Sequence, residues 1–336
     1  MVVGMFRNIL ILSAVALLSS ACAHELTHDA YFDITLDKEN TYVAGEPVVF
    51  NIKGNVDNLL FYSGEIGSEY QNKDRYSVPV KDVKSATLKI EYQAQYGKEG
   101  AMEVWISNKF SGLNGEDGEA DRKTISKMVQ TMDGWKKLDY VEGKSGIWTE
   151  QSYVLTDSLD SKTDFCIAFH WNPKEYCDTV GGMKYIAQRT YRVNGTIDLS
   201  IADVLPMPID FSGLSFKTVM MNTEADAYHK NAGNGSIVLN SNTVDLLFQG
   251  VGQKDSLDYA IDAWAISSPI DLNRVENDKG IVIKNQQNYL SSYSYTWNEP
   301  GTYKVVFVGT NENYQDSSML IREISVTILE NITNVL

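Results

Sequence analysis

Two segments near the end of the chain, GTYKVVFVGT and SSMLIREISVTIL, change polarity almost every second residue. A period of two sends successive side chains to opposite faces, which is strand geometry. On the first segment Tyr303, Val305, Phe307 and Gly309 share a face. On the second, Ile321, Ile324, Val326 and Ile328 carry the apolar pattern, with a phase slip expected near Arg322. The same period opens the chain's ordered part. In YFDITLD, Phe32, Ile34 and Leu36 alternate with Tyr31, Asp33 and Thr35. After the turn residues Gly45 to Pro47, Val48, Phe50 and Ile52 again share a face. Nineteen tyrosines and six tryptophans against seven prolines suit a pleated, half-buried surface. The pattern predicts an all-β chain of tandem β-sandwich domains.

Three successive blocks carry this signal. Residues 31–84 read as the first half of an immunoglobulin-like sandwich, too short to be complete. Residues 85–210 hold short alternating segments, among them ATLKIEYQAQYG, AMEVWISNKF, WTEQSYVL and DFCIAFHW, separated by turn-rich gaps. That spacing predicts a jelly-roll-like sandwich. Residues 211–332 read as a C-terminal immunoglobulin-like domain. One helix is expected, over DRKTISKMVQTM, where Ile125, Met128, Val129 and Met132 fall at i, i+3, i+4 and i+7. The NGEDGEAD stretch before it reads as loop.

The N-terminus reads as an address. Arg7 precedes an apolar run, Ile9 to Leu18, and small residues lead directly into Cys22. Charge, apolar core and small residues in that order form a secretory signal over residues 1–21. The run is short of the about 20 residues that span a bilayer. A cysteine at the cleavage point resembles the acylated first residue of a bacterial lipoprotein, with 22–30 as its tether. Plain secretion with Cys22 unmodified is the alternative. Lipidation of Cys22 leaves Cys166 and Cys177, which can pair in an oxidising compartment. The short loop between them would gain about 3 kcal/mol from the bridge. Two buried thiols are the other possibility.

Family resemblance adds to this. TYVAGEPVVFNIKGNVDNLLFYSGEIGSEYQNKDR, the later WAISSPIDLNRVENDKGIVIKN and the closing PGTYKVVFVGTNENY resemble Bacteroides-type surface lipoproteins carrying a domain of unknown function. The closing stretch resembles PKD-type domains. The middle block, with EVWISNKFSG and CIAFHW, is similar to galactose-binding-like modules. Such lipoproteins are encoded beside starch-utilisation-like glycan importers. The resemblance therefore implies glycan capture at the cell exterior, beside an outer-membrane TonB-dependent importer and its companion lipoprotein. It carries over no ligand residues. One departure is CAHELTHD, where only Glu25 stands near the cysteine although surface-exported relatives usually carry several acids just after it.

Charge narrows the partners. With 44 acidic against 29 basic residues the formal charge is −15, which disfavours nucleic acid and anionic lipid. Contact with the membrane is expected only through the lipid anchor. His24-Glu25-Leu26-Thr27-His28 matches the zinc-peptidase pattern H-E-x-x-H literally. It lies in the tether, with no sheet upstream to hold such a helix. Nucleophile-elbow and phosphate-loop motifs are absent from the sequence. A glycosidase needs two facing carboxylates, and no acidic pair stands in a distinctive motif. Glu65 and Glu69 read as turn or strand-edge residues. Asp117, Glu119 and Asp121 offer oxygens for a calcium ion, a solvated acidic loop being the alternative.

Sugars present apolar C–H faces and polar rims, so their sites combine aromatic rings with a few placed polar groups. HWNPKEYC supplies the first candidates, with Trp171 at a strand end followed by Lys174, Glu175 and Tyr176. Trp148 and Trp135, both near turns, are further candidates. Trp105 and Trp264 are expected in the core, and Trp297 against a turn. The expected function is non-catalytic capture of oligo- or polysaccharide. The alternatives are an adhesin or structural subunit of an import complex, and a glycoside hydrolase with an unrecognised carboxylate pair.

Overall fold

The computed structural model describes residues 28–39, 41–95, 99–156, 164–172, 178–180, 183–187, 190–224, 237–240, 245–248, 252–254, 261–314 and 316–331. The signal segment, Cys22, most of the tether and Lys174, Glu175, Tyr176 and Cys177 lie outside the described residues.

The strands begin with β1 (Phe32–Leu36), β2 (Thr41–Val43), β3 (Pro47–Gly54) and β4 (Asn58–Tyr62). They continue with β5 (Val83–Gln95) and β6 (Met102–Ser107), then helix α1 (Gly118–Thr131). Next come β7 (Trp135–Leu138), β8 (Thr149–Val154), β9 (Asp164–Trp171), β10 (Asp178–Val180) and β11 (Met183–Ala187). After these are β12 (Thr190–Ile201), β13 (Ile209–Asp210), β14 (Phe216–Met220), β15 (Ile237–Asn240), β16 (Asp245–Phe248) and β17 (Gly252–Lys254). The chain closes with β18 (Ala263–Ser267), β19 (Ile270–Asp271), β20 (Ile281–Lys284), β21 (Ser292–Thr296), β22 (Gly301–Glu312) and β23 (Ser317–Leu329). The all-β expectation holds. Among the described residues no helix is long and apolar enough to cross a membrane.

The chain divides into two compact units rather than three successive modules. One runs through Asp74 and resumes at Asn277; the other is Arg75–Glu276. The expected boundaries at 84 and 210 fall inside paired strands, the first within β5 and the second at the end of β13. In the discontinuous unit the sheets run β1-β3-β21 and β2-β23-β22-β4-β20. The half-sandwich read at 31–84 is therefore completed by the end of the chain. Its core joins Phe32, Phe50, Phe61, Trp297, Val305, Phe307 and Val326, all fully buried. Trp297 is thus core rather than turn packing, with Phe50 edge-on at 6.3 Å. Gly309 faces this core as its period requires. A Cβ there would come within 2.6 Å of the Phe32 ring, so the missing side chain makes room for that ring.

The expected slip at Arg322 does not occur. β22 and β23 pair without interruption from Gly301↔Ile328 to Glu312↔Ser317. Leu320, Arg322, Ile324, Val326 and Ile328 share one face, and Ile321 points outward. Arg322 fits the apolar side because its stem lies inward and its guanidinium sits 6.0 Å over the Phe32 ring. Where the chain leaves this unit and returns, the two crossings are tied. Glu69 N donates to Asp278 Oδ2 at 2.8 Å and Asn277 Nδ2 to the Lys73 carbonyl at 2.7 Å. Glu65 accepts from Tyr295 Oη at 2.6 Å and Ser63 Oγ at 3.0 Å, a turn-fixing role as expected.

The continuous unit is also a sandwich of two main sheets, ordered β15-β16-β12-β5-β8 and β14-β18-β9-β6-β7, with a small third sheet β10-β11-β17. Its core takes every second residue of the long strands. Leu88, Ile90 and Tyr92 of β5 meet Val104 and Ile106 of β6 and Ile167, Phe169 and Trp171 of β9. Gly195 of β12 is needed here, because a Cβ would meet the Phe211 ring at 2.7 Å.

Helix α1 begins earlier than its apolar spacing suggests. Asp117 caps it, accepting from the N–H groups of Glu119 and Ala120. Met132 ends it in a left-handed conformation. Ile125 and Met128 are buried and Val129 is half exposed, so the apolar stripe is narrow.

The division into units has a direct test. A fragment of residues 31–84 lacks the β22 and β23 partners and is expected to show no cooperative unfolding by circular dichroism. Phe307→Ala in the full chain is expected to cost about 3–5 kcal/mol of the discontinuous unit's stability. A cooperative transition from the fragment would contradict the assignment.

Candidate functional site

The second sheet of the continuous unit uses both faces. Alternation puts Met102, Val104 and Ile106 of β6 inward and Glu103, Trp105 and Ser107 outward. On β9, Cys166, Ala168 and His170 face outward, and on β18, Trp264 and Ile266 do. Helix α1 covers part of this outer face, packing Ile125 and Met128 against Cys166, Ala168, Val219 and Ile266. Beyond the helix the face turns polar. Register aligns Glu103 with His170 and His170 with Trp264 in one row across the sheet.

His170 lies flat on Trp264, with centroids 4.2 Å apart and planes 8° from parallel. Its Nε2 is 2.9 Å from Asp262 Oδ1 and its Nδ1 3.4 Å from Glu103 Oε2. Carboxylates accept, so both ring nitrogens face acceptors, an arrangement that favours the imidazolium. Burial opposes that charge, and the hydrogen bonds and charges of Asp262 and Glu103 outweigh it, raising the His170 pKa above its ordinary 6.5. Glu103 also accepts from Trp105 Nε1 at 3.2 Å and from Lys137 Nζ, which lies 5.6 Å over the Trp105 ring. The bond to His170, and those to Lys137 and Trp105, overcome burial and lower Glu103 from 4.5 to about 2. The cluster holds charge in place. With both nitrogens engaged by carboxylates the charged ring has no free lone pair, and Glu103, held near 2, is ionised near neutrality.

Beside it opens a depression of about 510 Å3 whose lining includes Glu99, Met102, Glu103, Lys137, Tyr140 and Glu142. Glu142 is fixed, its Oε1 accepting from Gly100 N at 2.8 Å and from Tyr191 Oη. Tyr140 packs on Tyr92 with centroids 4.7 Å apart. Acceptors, one ammonium and a phenol ring thus converge on one opening, with Met102 buried beneath them.

The candidates chosen from sequence are placed differently. Trp171 is fully buried, its ring edge-on to Phe248 at 5.8 Å, so it offers no face to a ligand. It shares the inward phase of Ile167 and Phe169. Lys174, Glu175, Tyr176 and Cys177 lie outside the described residues. Cys166 is a free, buried thiol donating to the Phe110 carbonyl at 3.3 Å. Burial, with Asp164 nearby, pushes its pKa up to about 12. Trp135 opens β7 and packs on Phe110 at 5.2 Å. Trp148 is 44% exposed and precedes β8, the edge strand of the other sheet, whereas Trp135 belongs to β7. Trp105, expected in the core, is half-buried on the outer face; Trp264 is buried, but also on that face.

The acidic loop is consumed by the helix. Asp117 caps it, Glu119 pairs with Lys123 at 2.7 Å, and buried Asp121 accepts from Asn114 N at 2.9 Å and Gly115 N at 2.8 Å. Among the described residues no three histidine, cysteine or acidic side chains gather as a metal site would need.

Sequence reading missed Glu103, His170, Lys137 and Asp262. The available signal was the period of MEVWISN, which sets Glu103 and Trp105 on one face. The cluster makes a pH prediction. His170 stabilises the fold fully below pH 6.5, and this is lost as pH rises through its raised pKa. Glu103 stabilises above 4.5, and this is lost as pH falls towards about 2. The melting-temperature gap between wild type and His170→Gln should therefore be widest between those ordinary values and narrow towards alkaline pH. Between pH 4.5 and 6.5 the substitution is expected to cost about 1–3 kcal/mol. A gap that widens with alkalinity would contradict the charged ring.

No curated protein matches the chain. Residues 21–186, the stretch that supplies Glu103, Lys137, Glu142 and His170, match the family model of DUF5017, a domain of unknown function.

Proposed function

We propose that this chain is a non-catalytic, lipid-anchored glycan-binding protein of the outer membrane, facing the cell exterior. It captures oligo- or polysaccharide for a TonB-dependent importer and its companion lipoprotein. The observation that carries this reading is the depression beside Glu103. The half-buried ring of Tyr140 gives apolar surface for a sugar's C–H face, while Glu99, Glu103, Glu142 and Lys137 give polar groups for its hydroxyls. The fixed charges around His170 favour binding over proton transfer. The address rests on Arg7, the apolar run and the small residues that lead into Cys22.

A protein-binding role has one observation of its own. Val141, Ile147, Trp148 and Val154 are exposed along the segment that enters and forms the edge strand β8.

Affinity electrophoresis in polysaccharide gels separates the two. Wild type should be retarded and Lys137→Ala should lose at least tenfold in affinity, since Lys137 is half exposed and its removal spares the core. Equal retardation of both proteins moves the site elsewhere. No retardation in any gel, with Trp148→Ser abolishing capture of a protein partner, supports the adhesin instead. Fatty-acid labelling of the expressed chain should depend on Cys22, and label persisting in Cys22→Ala would overturn the anchor.

A further inference from the structure

We infer that the depression takes an uncharged glycan and turns away polysaccharides bearing carboxylates or sulfates. This deepens the glycan-binding reading and rests on it. The named lining residues are acidic at Glu99, Glu103 and Glu142 and basic at Lys137. The ammonium of Lys137 is already bonded to Glu103 and lies over the Trp105 ring. Glu103 is also bonded to His170, and His170 to Asp262, so the second cation near the opening is likewise committed. Glu142 is held by Gly100 N and Tyr191 Oη. An incoming anion therefore finds three carboxylates and one ammonium whose charge Glu103 already balances. The formal charge of −15 adds a long-range field of the same sign, strongest at low salt.

A neutral sugar meets the opposite situation. Its hydroxyls donate, and carboxylate oxygens are strong acceptors. Tyr140, half-buried in the same lining, supplies surface for the ring. The same chemistry that repels a uronate therefore orients a hexose or pentose unit.

The experiment compares the full chain in gels containing neutral polysaccharides (glucan, xylan, mannan, galactan) and acidic ones (polygalacturonate, alginate, chondroitin sulfate). Each gel is run at low and at physiological salt. Retardation is expected in a neutral gel, with at least tenfold weaker binding in every acidic gel and the gap widest at low salt. Glu99→Lys, an exposed change, should narrow the ratio of neutral to acidic affinity several-fold. Acidic polysaccharide bound as well as neutral overturns the inference and leaves the glycan-binding reading standing. A ratio that Glu99→Lys leaves unmoved also overturns it, because the exclusion is then set elsewhere. Absence of retardation in every gel overturns the glycan-binding reading, and this inference with it.

Discussion

A histidine ring between two carboxylates ties the outer face of the second sheet together. β9 is a strand with apolar side chains on both faces along most of its length, because the core covers one side and α1 the other. His170 stands where the helix no longer shelters that face. A half-buried charge without partners is costly, and removing one partner of such a set leaves the rest uncompensated. Asp262 comes from the entry to β18, Glu103 from β6 and Lys137 from β7. Four segments of the sheet are thus bound by charge where they lack helix cover. The stack of His170 on Trp264 adds a flat contact that keeps the ring in the row.

The periodic part of this architecture was legible and the pairing was not. Val48, Phe50 and Ile52 point into the core as their spacing demands, because side-chain alternation is a property of the local backbone. DFCIAFHW shows the limit. Phe165, Ile167, Phe169 and Trp171 share one phase, yet Cys166 and Ala168 fill the other with small apolar residues. A run apolar in both phases looks unpatterned, so Trp171 reads as the end of a strand rather than as the last member of its inward set. Only the position of α1 explains why both phases are apolar. Arg322 misleads in the opposite way: its charge marks it as outward, while its long stem packs inward. The meeting of Glu103, His170 and Asp262 has no local signature. Their separation along the chain is bridged by strand register alone.

Register across long distances also builds the discontinuous unit. Tyr62 pairs with Val306 and Tyr42 lies parallel to Ile328, so the first strands cannot close a core until the last have been made. The entropy of closing so long a loop rises only slowly with its length, and a completed sandwich offsets it. The kinetics are less forgiving, because contacts of high sequence separation form slowly. The continuous unit has its own ends secured. Val78 N donates to the Asn273 carbonyl at 2.9 Å and Val275 N to the Tyr76 carbonyl at 3.0 Å, so its entry and exit run side by side. That closure lets Arg75–Glu276 fold within a chain whose flanking strands have yet to meet.

On the glycan-binding reading, this order decides what kind of binder the chain is. Glu103 is fixed by His170, Trp105 and Lys137, and Glu142 by Gly100 and Tyr191, before any ligand arrives. Binding then spends little on ordering the acceptors, which favours the complex. The opening is broad, however, and a broad opening leaves much of a ligand in water. Affinity for one sugar unit stays modest under those conditions, and differences in affinity appear mainly in the rate of release. A polysaccharide offers many equivalent units to one fixed site, so the protein can hold the polymer while each contact turns over. A deep cavity of the same chemistry would hold a single oligosaccharide longer and release it more slowly, which is the wrong compromise for a protein that must pass its cargo on.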